Sequence, residues 1–320
     1  MNKPINLGWG YPICVKEVLD FKYISNSNLS PTIDMDYPAY EGKEALINQI
    51  KNLTGKKYVI ITNGATQAIN IILRALRKHE NKEIVMTNKH TFPYYSGMIH
   101  KAGLTQQYIT KDTLSIANNV INLIDMPSNP WGKVHEIKDL SNNTIHDAVY
   151  NNKIYINSTI NRTVNARIEV GSVSKLLGIT GARIGWIATN DWLDYSICLE
   201  ECKLENCGVS VPSQDIIIDI FDRLDLEDFM TIAQGRINFN REEFLKLNAF
   251  LDEQVVSTDG MFYCAWVDNK GLDIIDKANV SYIVLEVESN KKLIRFNLAQ
   301  NNTLTKQAIK AILIADRIIK

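Results

Sequence analysis

The chain has 320 residues, 45% hydrophobic and 22% charged, so it can bury a large core and is neither a disordered nor a fibrous protein. Its 35 Lys and Arg nearly balance 36 Asp and Glu, which leaves no basic field to attract nucleic acid or anionic lipid. The N-terminus lacks the apolar core of a secretory signal, and no apolar run is long enough to cross a bilayer, so we expect a cytoplasmic protein without a membrane partner.

Cysteine usage argues against two further classes of protein. The five cysteines are an odd number, and they form no CxxC pair and no zinc-ligand spacing with histidine. The sequence therefore predicts neither a disulfide framework nor a metal site.

Hydrophobic spacing predicts alternating strands and helices after an irregular start. Residues 43–54 have helical spacing and end at Gly55, and the apolar run 58–62 predicts a strand that leads directly into a helix at Ala65. The other predicted elements are strands at 83–87, 120–125, 144–150, 166–172, 262–267, 281–287 and 293–299, helical patterns from about 192 to 251, and a last helix from Thr305.

This order of elements predicts an α/β fold. Alternating strands and helices form a mostly parallel sheet sandwiched by helices, with ligands bound beyond the carboxyl ends of the strands. The late strands predict a smaller α+β domain packed on the first. We therefore divide the chain into an N-terminal segment, 1–42, which contributes to the small domain and the cleft, a large ligand-binding domain, 43–240, and a small C-terminal domain, 241–320.

The turn between the predicted strand 58–62 and the following helix has the pattern of a phosphate site. A helix N-terminus exposes unpaired N–H groups and a partial positive charge, so Gly64, Ala65 and Thr66 can cradle a phosphate. An ordinary strand-to-helix turn is the alternative.

The string VGSVSKLLGITGARIGW, residues 170–186, contains a lysine among small residues and hydroxyls. A neutral amine at Lys175 is a candidate Schiff-base nucleophile, and Ser172 and Arg183 are candidate phosphate ligands. The small residues allow the backbone to approach a flat, phosphorylated ligand, which suggests pyridoxal 5′-phosphate. A glycine-rich turn with a solvated lysine is the alternative interpretation.

Five more candidate residues lie at strand ends, in adjoining turns or within a late strand. Asn129 follows one strand, Asp147 and Tyr150 lie three apart near the end of another, Phe92 offers a flat ring after a third, and Arg295 carries a fixed cation. Each also has a purely structural interpretation, as a cap, a core aromatic residue or a solvated edge charge.

Taken together, these residues resemble the fold type I pyridoxal-phosphate enzymes, and specifically the class I/II aminotransferases. The similarity is greatest to the branch of plant tryptophan aminotransferases and alliinases, because of the strings HDAVY, SKLLGITGARIGW followed by Asp191, and GVSVPSQ at 208–214. The resemblance covers nearly the whole chain, and it implies a seven-stranded type of sheet in the large domain.

The resemblance implies a catalytic set of Lys175, Asp147 and Tyr150. Lys175 would form the internal aldimine with the cofactor and then move a proton between the substrate Cα and the cofactor C4′ atom. Asp147 would pair with the pyridine nitrogen and keep it protonated. Asn129 and Tyr150 would hydrogen-bond the ring hydroxyl oxygen and lower the pKa of the imine.

The resemblance also implies binding roles around the cofactor and substrate. The stacking ring would be Phe92, with Tyr94 and Tyr95 as alternatives. The α-carboxylate of the substrate would pair with Arg295 beside Asn129. The opening segment would fold over the substrate, and Trp9, Gly10 and Tyr11 would line the pocket for the substrate side chain.

The phosphate would be held by Gly64, Ala65, Thr66, Ser172 and Arg183. Tyr37 matches a tyrosine that reaches the phosphate of the neighbouring subunit, which implies a homodimer with shared active sites. A tyrosine in a surface turn is the alternative for this residue.

The resemblance implies a transferase of amino acid metabolism, an aminotransferase that moves the amino group of an L-amino acid to a 2-oxo acid. The family branch favours aromatic or apolar donors. Trp131 departs from the smaller residue usual after the Asn-Pro pair, which bears on the substrate cleft. Two alternatives remain, a β-eliminating carbon–sulfur lyase of the alliinase type and a non-catalytic metabolite-binding descendant.

Overall fold

The computed structural model describes residues 5–8, 12–20, 37–109, 114–132, 143–156, 166–247, 255–257 and 260–319. Within the predicted irregular start it contains a short strand, β1 (Ile5–Asn6), and a helix, α1 (Ile13–Leu19). Helix α1 was not predicted because seven residues give too few turns for a clear apolar period, although Cys14, Val15, Val18 and Leu19 are buried.

Seven of the described strands form the large sheet. They are β2 (Tyr58–Thr62), β3 (Ile84–Thr87), β4 (Thr105–Tyr108), β5 (Val120–Asp125), β6 (Thr144–Asp147), β7 (Ile168–Ser172) and β8 (Gly185–Thr189). Their order in the sheet is β2-β8-β7-β6-β5-β3-β4, and only the two pairs that contain β8 are antiparallel. The predicted mostly parallel sheet is confirmed.

Three details of this sheet differ from the sequence prediction. Strand β4 was not predicted because its TQQY sequence is polar, as suits a strand at the edge of the sheet. Strand β8 was not predicted; its first two residues, Gly185 and Trp186, are the last two of the glycine-rich string. Strand β6 ends at Asp147 rather than at residue 150, because Asp147 Oδ1 accepts the N–H of Val149 and turns the chain out of the sheet.

Helices cover the faces of this sheet and the neighbouring small sheet. The described helices after α1 are α2 (Glu44–Thr54), α3 (Ala65–Glu80), α4 (Tyr95–Lys101), α5 (Val173–Leu176), α6 (Trp192–Asn206), α7 (Val211–Arg223), α8 (Leu226–Leu245), α9 (Asn269–Lys277) and α10 (Asn302–Ile319). Within the described residues, no helix combines the length and the apolar composition needed to cross a bilayer.

The small sheet is antiparallel and has the order β12-β13-β10-β9. Its strands are β9 (Val255–Ser257), β10 (Phe262–Asp268), β12 (Ile283–Val287) and β13 (Lys291–Asn297), while β11 (Val280–Ser281) pairs in parallel with β1. The predicted smaller α+β unit is confirmed. The predicted domain division at residue 240 falls inside α8, and the domain bounds stay a prediction.

Helix α3 sets the position of the candidate phosphate site. Ile69, Ile72, Leu73 and Leu76 recur at helical spacing, and all four are buried in the core between α3 and the large sheet. The helix begins at Ala65, two residues after β2 ends, with Gly64 before it at φ +78°. Packing against the sheet therefore fixes the N-terminus of α3 at the carboxyl end of β2.

A cluster of charges joins three elements beneath the sheet. Arg167, just before β7, donates to both carboxylate oxygens of Asp194 on α6, at 3.0 and 3.1 Å from Nε, and to Glu80 at the end of α3, at 3.0 Å from Nη1. Asp194 is only 1% exposed. Removal of Arg167 would leave that carboxylate buried without its charged donor.

We expect Arg167→Met to lower the free energy of unfolding by about 2–3 kcal/mol. This loss is smaller than the loss expected for a fully buried ion pair, because the side chain of Arg167 is 19% exposed. Urea denaturation measures the change. The matched control is Arg223→Met, which removes an exposed i,i+4 pair with Asp219 and should cost at most about 0.5 kcal/mol. Equal losses in the two variants would contradict a structural role for the Arg167 cluster.

Candidate active site

A cavity of about 390 Å³ opens at the edge of the large sheet where β5, β6 and β7 end. The cavity is lined by nine of the residues that were predicted from the sequence, namely Ala65, Thr66, Phe92, Asn129, Asp147, Tyr150, Ser172, Lys175 and Arg183. A larger cavity, of about 540 Å³, shares only Ser172 with these nine residues. The smaller cavity is therefore the candidate active site.

Lys175 lies on α5, the short helix that directly follows β7. Its backbone carbonyl accepts the hydroxyl of Tyr155 at 2.8 Å, which fixes the helix against the core. Burial, together with the charges of Arg295 and Arg183, lowers the pKa of the Lys175 amine to about 8. A far larger fraction of this amine is neutral near pH 7 than of an ordinary lysine, as a nucleophile requires.

Asp147 ends β6 and points into the same cavity. Its Oδ2 accepts the hydroxyl of Tyr95 at 2.6 Å, and its Oδ1 accepts the N–H of Val149 at 3.1 Å. Burial raises the pKa of the Asp147 carboxyl, and these two donors oppose that shift. The carboxylate is thus held in place by neutral groups.

Tyr95 is a partner of Asp147 that sequence reasoning did not assign. Its side chain is fully buried on α4 and it does not line the cavity, whereas Phe92 and Tyr94 do. Of the three aromatic candidates for stacking, Tyr95 is therefore engaged elsewhere. In the sequence Tyr95 lies three residues after Phe92, and this spacing does not distinguish a ring that stacks on a ligand from a hydroxyl that bonds Asp147.

Gly64, Arg183 and the start of α3 form the polar end of the cavity. Gly64 has a φ of +78°, which favours glycine, and a Cβ atom there would lie 2.6 Å from Nη2 of Arg183 and displace the guanidinium from the helix N-terminus. Arg183 is exposed and donates to the carbonyl of Thr180 at 3.1 Å. A guanidinium next to unpaired helix N–H groups is an anion-binding arrangement.

Ser172 lines the cavity, but its hydroxyl already has partners. Ser172 Oγ donates to the carbonyl of Ile184 at 2.9 Å and accepts the N–H of Ser174 at 3.1 Å. A hydroxyl carries one proton, so Ser172 must release Ile184 before it can donate to a phosphate.

Arg295 lies at the opposite end of the site, on β13 of the small sheet. Its Nη1 donates to Oδ1 of Asn129 at 3.2 Å, and its guanidinium carbon lies 4.1 Å from the ring centroid of Phe262. Tyr150 packs edge-on against the same ring, at 6.0 Å between centroids. The two sheets therefore meet at Asn129, where a cation is available for a carboxylate.

Gly64 and Arg295 adjoin the cavity without lining it, and Tyr37 lies away from it. Tyr37 is 90% exposed and lines a separate surface depression with Lys43 and Tyr58. Trp9, Gly10 and Tyr11 lie outside the described residues. Conversely, Asp125 lines the cavity and was missed, because its place at the end of a uniformly buried strand gives no sequence signal.

The donor set fits pyridoxal phosphate. Lys175 supplies an amine that is partly neutral, and Asp147 supplies a buried carboxylate whose hydrogen-bond donors among the described residues, Tyr95 and Val149, are neutral, so a protonated ring nitrogen suits it as a partner. The guanidinium of Arg183 lies beside the N-terminus of α3, an arrangement that suits a phosphate, and the ring of Phe92 forms part of the wall. These groups lie at one cavity, and they supply the charges that the phosphate and the ring nitrogen of the cofactor require.

Comparison with solved structures defines the class of fold. The chain aligns over 98% of its length with 92% of the aspartate aminotransferase of Thermus thermophilus bound to maleate, with a TM-score of 0.75 and 15% identity. It aligns over its whole length with 98% of an aromatic aminotransferase of Pyrococcus horikoshii, with a TM-score of 0.73 and 17% identity. The fold is thus that of fold type I pyridoxal-phosphate aminotransferases.

Sequence comparison defines the family. The Alliinase_C family model, described as allinase, matches residues 41–259, and the chain belongs to this family. Tryptophan aminotransferase-related protein 2 of Arabidopsis thaliana is 27% identical over 169 residues, 51% of this chain and 38% of the relative. The probable aminotransferase TAT1 of the same plant is 24% identical over 253 residues, 68% of this chain and 53% of the relative.

The predicted resemblance is therefore confirmed for both fold and family. The chain spans about half or less of the length of the curated relatives it matches.

Proposed function

We propose that this chain is a pyridoxal-phosphate-dependent aminotransferase that moves the amino group of an L-amino acid to a 2-oxo acid. The observation that carries the proposal is the single cavity that gathers Lys175, Asp147 and Arg183, with Arg295 beside Asn129 at its other end. The names of the relatives, which include tryptophan and aromatic aminotransferases, support an aromatic or apolar donor.

When bound, the cofactor supplies an aldehyde for an amine and a ring that withdraws electrons from the substrate Cα. Arg183 and the N–H groups of Ala65 and Thr66 hold its phosphate, and Asp147 keeps a proton on the ring nitrogen. Lys175 would bind the aldehyde of the cofactor, and its free amine would take the proton from the substrate Cα and return it.

Two further contacts orient the reacting groups. Arg295 binds the α-carboxylate through a bidentate pair, which aligns the Cα–H bond with the amine of Lys175. Asn129 and Tyr150 donate to the ring oxygen of the cofactor. Burial raises the pKa of the Tyr150 hydroxyl above its usual range, so this group stays a proton donor throughout the working pH range.

A β-eliminating carbon–sulfur lyase is the second candidate, and the allinase family match favours it over other reactions. Both reactions begin with removal of the Cα proton by Lys175 and diverge afterwards. Incubation with one amino acid and no 2-oxo acid separates them. A transaminase stops after one half-reaction per site, whereas a lyase releases ammonia and a 2-oxo acid at every turnover.

The pKa of Lys175 gives a pH prediction. Only the neutral amine attacks an aldehyde, so the rate constant for attachment of pyridoxal phosphate to the cofactor-free protein should rise about tenfold per pH unit below about 8 and level off above it. Stopped-flow absorbance from about pH 6 to pH 10 measures it, with a blocked free lysine, whose midpoint is about 10.4, as reference. A midpoint equal to that of free lysine would contradict the burial argument.

We also propose a homodimer in which Tyr37 of each subunit contributes to the neighbouring site. Its 90% exposed side chain lies outside its own cavity, as such a role requires. Sedimentation should give twice the chain mass. Mixing of inactive Lys175→Ala and impaired Tyr37→Phe subunits should restore part of the activity, because one site of the mixed dimer is then intact. A monomer, or a mixture without recovery, would contradict the proposal.

A further inference from the structure

Asp125 is a buried carboxyl in the cavity to which the proposed function assigns no task. It ends β5 and is the register partner of Asp147 on β6. The side chain is 2% exposed and lines the same cavity as Lys175. Its Oδ2 accepts the backbone N–H of Asn129 at 2.8 Å.

This hydrogen bond is the first of two that connect the sheets. It closes the turn from the end of β5 to Asn129. In the second bond, Oδ1 of Asn129 accepts a hydrogen bond from Nη1 of Arg295 at 3.2 Å. A chain of hydrogen bonds therefore runs from the large sheet to the arginine of the small sheet.

We propose that Asp125 is a positioning residue which, through Asn129, determines where Arg295 holds the carboxylate of the substrate. The inference rests on the proposed function only for the ligand of Arg295; the connection itself is present without any ligand.

The chemistry of the carboxyl explains which replacements are informative. Burial, together with the nearby charge of Asp147, raises the pKa of Asp125 to about 7, although the Asn129 N–H opposes this shift. A neutral acceptor of the same shape, as in Asp125→Asn, keeps the bond to Asn129. Asp125→Ala removes the acceptor and leaves the N–H of Asn129, a residue only 5% exposed, without it.

Amide hydrogen exchange tests the connection independently of activity. In full-length protein, with and without pyridoxal phosphate, the Asn129 amide should exchange about tenfold faster or more in Asp125→Ala. Asp125→Asn should stay close to wild type. Asp273→Asn, on the exposed face of α9, is the matched control and should equal wild type. If the alanine variant does not fold, Asp125→Val supplies a second variant without an acceptor.

Kinetics tests the effect on Arg295. With the preferred amino acid, Asp125→Ala should raise KM about tenfold and change kcat less, and Asp125→Asn should recover most of the loss. Because Asp125 acts through Asn129, the double variant Asp125→Ala, Asn129→Ala should have the KM of Asn129→Ala alone, within about twofold.

Each outcome decides between distinct claims. An Asn129 amide that exchanges equally in wild type and Asp125→Ala overturns the inference, as do effects on KM that multiply in the double variant. A wild-type protein that transaminates no amino acid, yet shows the expected change in exchange, refutes the proposed function and leaves the Asp125–Asn129 connection supported.

Discussion

Replacement of Lys175 by alanine is expected to reduce turnover at least about 10²–10⁴-fold, the contribution of a positioned acid–base group. The reason is that Lys175 is the amine in the cavity whose pKa is lowered to about 8, and it lines the same cavity as Asp147. Turnover with the best amino acid and a 2-oxo acid measures the loss. The absorbance of lysine-bound cofactor should disappear at the same time.

The matched control for this variant is Lys101→Ala, at the exposed end of α4, which should keep full activity. Borohydride treatment followed by peptide mapping adds a direct chemical test, since it should label Lys175 in wild type. Full turnover in Lys175→Ala, or a label on another lysine, would remove the proposed chemistry.

Asp147→Asn is expected to lower kcat about 10²–10³-fold, the loss typical when one preorganised electrostatic group is removed. The amide keeps the shape and an acceptor for the Tyr95 hydroxyl, but it cannot hold a positive charge on the ring nitrogen of the cofactor. The negative charge that develops at the substrate Cα is then less stabilised. Single-turnover absorbance of the half-reaction measures the effect directly.

Tyr95→Phe provides the comparison for Asp147→Asn, because it removes the hydrogen bond to the carboxylate and keeps the charge. We expect a loss of about tenfold for this variant. If both variants lost the same activity, geometry rather than charge at Asp147 would be the important property, contrary to the proposal.

Local patterns explain why much of the fold could be predicted. Helix α3 carries a regular apolar face, and Gly55 stops α2 in the left-handed conformation, at φ +70°. Strand β5, with the sequence VINLID, is a short, mostly apolar run that is buried throughout, as expected where both faces of a sheet are covered. Strand β4 has no such run, since it lies at an edge, and it could not be found by this criterion.

The candidate site was predictable where chemistry is concentrated in a short string. Lys175 and Arg183 are eight residues apart, and their string carries its own signal. The role of Tyr95 depends on a contact with a residue 52 positions away, and that of Asp125 on its register with Asp147. A single sequence contains no information on such pairings.

The sequence by itself determined the alternating architecture and the family, because hydrophobic period and motif spacing are local properties of the chain. The tertiary structure alone decided which carboxylates share a cavity and how burial changes their pKa. It also decided that Arg295 of the small sheet meets Asn129 of the large one. These features arise from strand register and desolvation, which exist only after distant segments have packed together.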